Sequence, residues 1–366
     1  MVSRRPAEPG MTIEQVETPA LVVDLDAMEA NIKALAARVA AYPSVRVTPH
    51  AKAHKSVEIA RRQMAAGASR MCCQNVAEAE AMAAGGIDNI LLSNEIIGAT
   101  KAQRLAQVAR TAKVGVCVDH IDQVTVLADA ARDAGVTFDV LIEIDVGMGR
   151  CGVTSAAEAV ALAKDVASHA SLRFAGLQAY HGTAQHLRHP EERVAAISKA
   201  TAFARETADA LRDAGLACDV IAGAGTGSYE NEMTSGVYNE LQCGSYVFMD
   251  ADYGRNDTAY PFLNALFVLT SVISAAASGR AVCDAGLKSL TAESGLPVAY
   301  EAPDITYTKA TDEHGTLQLA PQAAVKPGDK IKLIPGHCDP TVNLHDWLVA
   351  CRGDKVEAVW PVARGW

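Results

Sequence analysis

Short apolar runs that alternate with amphipathic stretches of about ten residues, repeated over most of a chain, leave few folds open. Residues 44–48, 70–73, 89–92, 113–118, 138–145, 174–180, 219–222 and 240–248 read as strands rich in Val, Ile, Leu and Cys. Between them, residues 56–66, 76–84, 101–111, 122–134, 155–170 and 191–214 carry apolar side chains at helical spacing. Strands this apolar are buried on both faces, and strands joined through helices run parallel with right-handed crossovers. The pattern predicts an α/β chain built on a (β/α)8 TIM barrel. Residues 18–24 read as one more strand, followed by a helix over 27–41 that Asp26 can cap. That is one strand beyond the eight of a barrel, so one strand, the first being the leading candidate, belongs outside the ring.

Beyond residue 260 the rhythm changes. Short strands at 265–273, 280–283, 330–334, 347–350 and 356–360 follow one another through turns, with hardly a helix between them. The chain therefore divides into a barrel over 20–260 and a β-rich domain formed by 1–19 and 261–366. A length of 366 residues with 49% apolar and 21% charged side chains can bury cores of this size. The net charge of -10 and the lack of any Lys/Arg-rich run argue against nucleic acid or an anionic membrane as partner. No stretch is long and apolar enough to span a bilayer, and the expected location is the cytoplasm. The nine cysteines include no C-x-x-C pair, so they read as reduced, buried thiols rather than a zinc site.

Four motifs carry chemistry. Thr48-Pro-His-Ala-Lys-Ala-His-Lys55 follows a strand, where a barrel keeps its chemistry, and places Lys52 between His50 and His54. Such neighbours can lower a lysine pKa, as an amine needs if it is to attack the aldehyde of pyridoxal phosphate. Asp145-Val-Gly-Met-Gly-Arg-Cys-Gly-Val153 brings Arg150 to another strand end, in a loop whose glycines let backbone approach a ligand. A surface turn with an incidental arginine is the alternative. Gly223-Ala-Gly-Thr-Gly-Ser228 can cradle a phosphate on its N–H groups, with Gly244-Ser-Tyr246 as the neighbouring loop. In Pro335-Gly-His-Cys-Asp-Pro-Thr341 an extended chain would put His337 and Asp339 on one side, as a nitrogen and an oxygen ligand for one metal ion. The mixed donors suit Mn²⁺, Mg²⁺ or Co²⁺, with Zn²⁺ also open. A turn with a capping Asp is the bland alternative.

Taken together and in this order, these motifs resemble the D-threonine aldolase and D-serine dehydratase family of pyridoxal phosphate enzymes, which share the alanine racemase-like fold. Thr18-Pro19, Tyr238-Asn-Glu-Leu-Gln-Cys-Gly-Ser-Tyr246 and Met249-Asp-Ala-Asp-Tyr-Gly254 add to the likeness, which is greatest to the 3-hydroxy-D-aspartate aldolases of that group. The resemblance implies that Lys52, not Lys55, joins the cofactor, that Arg150 meets its phenolic oxygen, and that Gln178 and Tyr180 face its ring. It implies a phosphate cradle from Gly225, Thr226, Gly227, Ser228, Gly244, Ser245 and Tyr246, a metal on His337 and Asp339, and a base at His186, with His181 and His189 close by in sequence.

The expected activity is retro-aldol cleavage of a D-3-hydroxy amino acid to glycine and an aldehyde, in a homodimer. D-Serine dehydratases of the family carry a His-x-Cys zinc pair where this chain has His337 and Asp339, which favours an aldolase over a dehydratase. A racemase and a non-catalytic cofactor carrier are the remaining alternatives; carriers of that kind lack the β-rich second half.

Overall fold

The computed structural model describes residues 4–364. β1 (Ala20–Asp24) opens the chain but stands outside the barrel. The next eight strands form it: β2 (Arg46–Val47), β3 (Met71–Cys73), β4 (Asn89–Glu95), β5 (Lys113–Val118), β6 (Phe138–Glu143), β7 (Leu172–Gln178), β8 (Val220–Gly223) and β9 (Glu240–Leu241). All neighbours pair parallel, in the order β2-β9-β8-β7-β6-β5-β4-β3. The two ends meet where Ser69 N–H donates to the Val47 carbonyl and Cys72 N–H to the Pro49 carbonyl, each at 2.9 Å, which closes the ring.

Side chains alternate along these strands as the pleat requires. Cys72, Leu91, Cys117, Leu141, Ala175 and Val220 fill the inside of the ring, while Met71, Ile90, Leu92, Val116, Val140 and Ile142 pack outward against the helices. Seven of the nine cysteines are buried and all nine are free thiols; burial, against the pull of Arg70, pushes Cys72 up to about 12, so it stays protonated and inert.

The second sheet holds β1, β10 (Leu266–Ala277), β11 (Arg280–Cys283), β12 (Val298–Ala299), β13 (Ile305–Ala310), β14 (Gly315–Leu319), β15 (Lys330–Ile334), β16 (Trp347–Arg352) and β17 (Lys355–Pro361). β1 lies in its middle, antiparallel to β10 and parallel to β16. The strand surplus in the sequence is thus β1, and residues 20–24 belong with this sheet rather than with the barrel. The helix Leu25–Val39 that follows is capped by Asp24, which accepts the Ala27 N–H at 3.0 Å, and not by Asp26. β12, β13 and β14 had no counterpart in the sequence reading. Most of the β13–β14 hairpin is exposed or only half-buried, so its sequence lacks an apolar run.

Barrel and sheet share one apolar core in which Leu25, Met28 and Leu35 of the first helix meet Tyr246 and Phe248 from the barrel side and Leu266, Leu333 and Leu348 from the sheet. Among the described residues no helix is long and apolar enough to cross a membrane.

Candidate active site

Proline at position 49 has no N–H to offer a ladder, so the chain leaves β2 and turns through one 3-10 turn, Ala51–Ala53. The His50 imidazole accepts the Lys52 N–H there at 3.3 Å. Lys52 looks into a cavity of about 330 Å³ at the carboxyl ends of the barrel strands. Lys55 does not: its backbone is left-handed, and its ammonium is buried in an ion pair with Glu78. The Lys52 Nζ lies 3.7 Å from Asp339 Oδ2. Burial works against its charge, but the Asp339 carboxylate and then Tyr180 outweigh burial, and the pKa is raised. This reverses the expectation drawn from the flanking histidines. Burial and the Lys52 charge hold His50 well below its usual value, and burial brings His54 to about 4, so both rings are neutral. His50 Nε2 sits 3.2 Å from Gln74 Oε1 and 3.1 Å from Ser93 Oγ, while His54 is walled in against Gln63.

Arg150 lines the same cavity, carried by a loop wound around Asp145, whose Oδ1 accepts the N–H groups of Gly147, Met148 and Gly149 at 2.9–3.0 Å. Gln178, ending β7, exchanges two hydrogen bonds of 2.8 Å with Gln242, and the two amides form part of the wall beside Tyr180.

Of the seven residues expected in a phosphate cradle, Gly225, Thr226, Gly244 and Ser245 line the cavity. Gly227, Ser228 and Tyr246 do not. The Gly227 N–H donates to Gln185 Oε1 at 2.8 Å, and the Ser228 hydroxyl accepts from Gln185 Nε2 at 2.7 Å while donating to Glu232. The Tyr246 ring is buried edge-on to Phe262, and its hydroxyl accepts from Gln63. A β-carbon on Gly225 would lie 2.5 Å from the Gln185 amide and would displace it from its bonds to Gly227 and Ser228. The hydroxyl of Thr226 is buried with no hydrogen-bond partner among the described residues, which suits a ligand that brings acceptor oxygens.

His186 closes a short 3-10 turn, Thr183–His186, and its Nδ1 lies 2.6 Å from Asp252 Oδ2. Asp252 also binds Arg188 and Arg255; burial resists its ionisation, but His186 and Arg188 outweigh it and hold the carboxylate far below its usual range. With Nδ1–H committed to Asp252, the Nε2 lone pair of His186 is free. The other two histidines of the segment are occupied elsewhere. His181 packs against Gly147 and bonds Thr183, and His189 pairs with Asp257 at the surface.

β15 ends at Ile334, and His337 and Asp339 reach the cavity with their Nε2 and Oδ1 atoms 4.0 Å apart. They do not stand on one side of an extended strand as expected. Asp250 accepts the Cys338 N–H at 2.9 Å and starts a helical turn, Cys338–Val342, so Asp339 stands in its first turn and Cys338 is buried. Ser245 Oγ approaches Asp339 Oδ1 at 3.4 Å. The Asp252 and His337 segments are stitched together, Ala251 N–H donating to Pro335 O at 3.0 Å and Asp252 N–H to Gly336 O at 3.1 Å.

The cavity also takes in Gln74, Ser93, Met148, Thr183, Gln242 and Tyr253, none singled out as a site residue in the sequence. Gln74 directly follows β3 and Ser93 lies in the last half of β4, and that position was their one signal. Gln242 and Tyr253 lie in the two blocks quoted for the family likeness.

Residues 23–252 match the family model for the alanine racemase N-terminal domain, and residues 265–351 match that for a serine dehydratase domain. A D-threonine aldolase of Arthrobacter sp. is 49% identical, the match covering 98% of this chain and 96% of that protein. A 3-hydroxy-D-aspartate aldolase of Paracoccus denitrificans (strain Pd 1222) is 47% identical over 98% of this chain and 95% of its own length. The crystal structure of D-threonine aldolase from Filomicrobium marinum superposes with a TM-score of 0.96 at 48% identity, covering 99% of this chain and 98% of that one. More distant, at 30% identity over 97% of this chain and 99% of its own, is a D-threo-3-hydroxyaspartate dehydratase of Delftia sp. (strain HT23). This chain belongs to the alanine racemase-like family in which an alanine racemase N-terminal domain is joined to a serine dehydratase domain.

Proposed function

We propose that the protein is a lyase that uses pyridoxal 5'-phosphate and a divalent metal to break the Cα–Cβ bond of D-3-hydroxy amino acids. 3-Hydroxy-D-aspartate would give glycine and glyoxylate; D-threonine would give glycine and acetaldehyde. The observation that carries this reading is the meeting of the Lys52 amine with His337 and Asp339 in one cavity, with Nζ and Oδ2 3.7 Å apart although the groups come from opposite ends of the chain. A racemase or a cofactor carrier has no use for an imidazole and a carboxylate in that place.

Lys52 would hold the cofactor aldehyde, Arg150 its phenolic oxygen, and Gln178 and Tyr180 its ring. Gly225, Thr226, Gly244 and Ser245 would take the phosphate, with the unsatisfied Thr226 hydroxyl as a donor; Gly227, Ser228 and Tyr246 would support that loop from behind. When bound, the cofactor supplies a conjugated system that takes up the electron pair left at Cα. His337 and Asp339 would hold a dication against the substrate hydroxyl, and their N/O donors suit Mn²⁺ or Mg²⁺ best, then Co²⁺ or Zn²⁺. His186 would accept the hydroxyl proton on Nε2, since Asp252 keeps Nδ1 protonated. As that proton leaves, the C–O bond closes to a carbonyl, Cα–Cβ breaks, and the aldehyde departs while glycine takes a proton at Cα. The reading includes a homodimer and a cytoplasmic location, the first resting on family likeness and the second on composition.

Incubating the holoenzyme with each substrate, with and without chelator, and measuring products by chromatography tests it. Glycine and the matching aldehyde are expected, with loss of turnover in chelator. A 2-oxo acid with ammonia would overturn the aldolase in favour of a dehydratase.

A further inference from the structure

We propose that Glu293 is a positioning residue for the metal pair: it holds the His337 imidazole by Nδ1 so that Nε2 is presented beside Asp339. The inference rests on the reading that His337 and Asp339 hold a dication. Glu293 itself is not part of the cavity lining.

The Glu293 Oε1 lies 2.9 Å from His337 Nδ1, and His337 Nε2 lies 4.0 Å from Asp339 Oδ1. A carboxylate can only accept, so the ring proton sits on Nδ1 and the Nε2 lone pair is left for a cation. Without this partner the ring can turn about its side-chain bonds and offer either nitrogen, or neither. Asp339 is held on its own segment, in the first turn of Cys338–Val342 with Cys338 Sγ 3.2 Å from its Oδ1.

Glu293 is itself fixed from both sides. Before it, the Thr291 N–H and hydroxyl reach the Thr341 hydroxyl, each at 3.3 Å, which ties the loop to the helical turn after Asp339. After it, Arg255 binds the Ser294 carbonyl, and a β-carbon on Gly336 would lie only 2.0 Å from the Gly295 carbonyl oxygen. The loop therefore lies flush on the segment that carries His337. The same Arg255 binds Asp252 at 2.8 Å, and Asp252 orients His186. The loop that carries the acceptor of the metal-binding imidazole and the acceptor that aims the base imidazole are thus held by one guanidinium. A half-exposed carboxylate adds little to stability, so the effect of Glu293 belongs to the aim of its partner.

The test is a titration of the cofactor-loaded enzyme with Mn²⁺, free ion being read by electron paramagnetic resonance, for wild type, Glu293→Ala, Glu293→Gln and Asp339→Ala. Glu293→Ala is expected to weaken Mn²⁺ binding about 10–100-fold, with cofactor absorbance and metal-free melting temperature unchanged. Glu293→Gln should recover most of the affinity, because its amide oxygen still accepts from Nδ1. Wild-type affinity in Glu293→Ala, together with lost affinity in Asp339→Ala, would overturn the proposal and leave the metal reading standing. So would a Glu293→Gln affinity as weak as that of Glu293→Ala. Wild-type affinity in Asp339→Ala would overturn the metal reading and this inference with it.

Discussion

Two lysines three positions apart have opposite fates, and each makes a prediction. Lys52 meets the cavity, and Lys52→Ala should lose both the cofactor's visible absorbance and turnover while the metal-free fold melts as before. Lys55 is buried against Glu78, which also accepts the Gln74 N–H. Lys55→Met strands that carboxylate in the interior and should cost about 3–5 kcal/mol in denaturant unfolding; unchanged stability would show that the pair is not a structural one. A third residue sets a pH dependence. Burial lowers His54 from its ordinary 6.5 to about 4, so between those values the unfolded chain binds the proton and the folded one does not. Its contribution is fully present above pH 6.5, declines as pH falls, and is spent below pH 4, amounting to about 3 kcal/mol for a shift of this size. Urea midpoints measured across that window should fall with acidity, and less steeply in His54→Asn.

At the scale of elements, the site depends on loops that hold one another. Gln185 precedes the candidate base and spends its amide on the Gly227 N–H, the Ser228 hydroxyl and the His181 carbonyl. Gln185→Ala would release the phosphate-facing loop from behind without touching its front. Losing an anchor worth about 1–1.5 kcal/mol should weaken cofactor binding roughly tenfold, measured by fluorescence titration of the apoenzyme. Equal affinity would mean that the loop is rigid on its own. The sequence already marked this loop as glycine-rich, and the run Gly223–Ser228 does follow a barrel strand. What it could not convey is that Gly227 and Ser228 face away, because the partner that turns them around lies some 40 residues earlier, near His186. His337 and Asp339 show the same limit: the pair was legible from its spacing, but the helical turn at Cys338 depends on Asp250, from another loop.

Over the whole molecule, the barrel and the β-rich sheet are built around a common core, and β1 lies in the sheet while the helix after it packs toward the barrel. The two parts should therefore unfold together. Trp347 and Trp360 lie in β16 and β17, so with Trp366→Phe, which removes the one tryptophan outside the described residues, fluorescence reports the sheet, while far-ultraviolet dichroism reports mainly the barrel helices. Coincident denaturation curves are expected, and two separated transitions would show that the units fold independently. The parallel barrel, the change of rhythm near residue 260 and the placing of Lys52, Arg150 and Gly223–Ser228 at strand ends were all legible, because burial patterns repeat over a few residues and are written locally. The seat of β1, the charge on Lys52, the acceptors behind His186 and His337, and the ion pair that buries Lys55 were decided only by the folded chain. Each depends on a neighbour supplied by a distant segment, and a hydrogen bond or a field at a few ångströms leaves no periodic trace in the sequence.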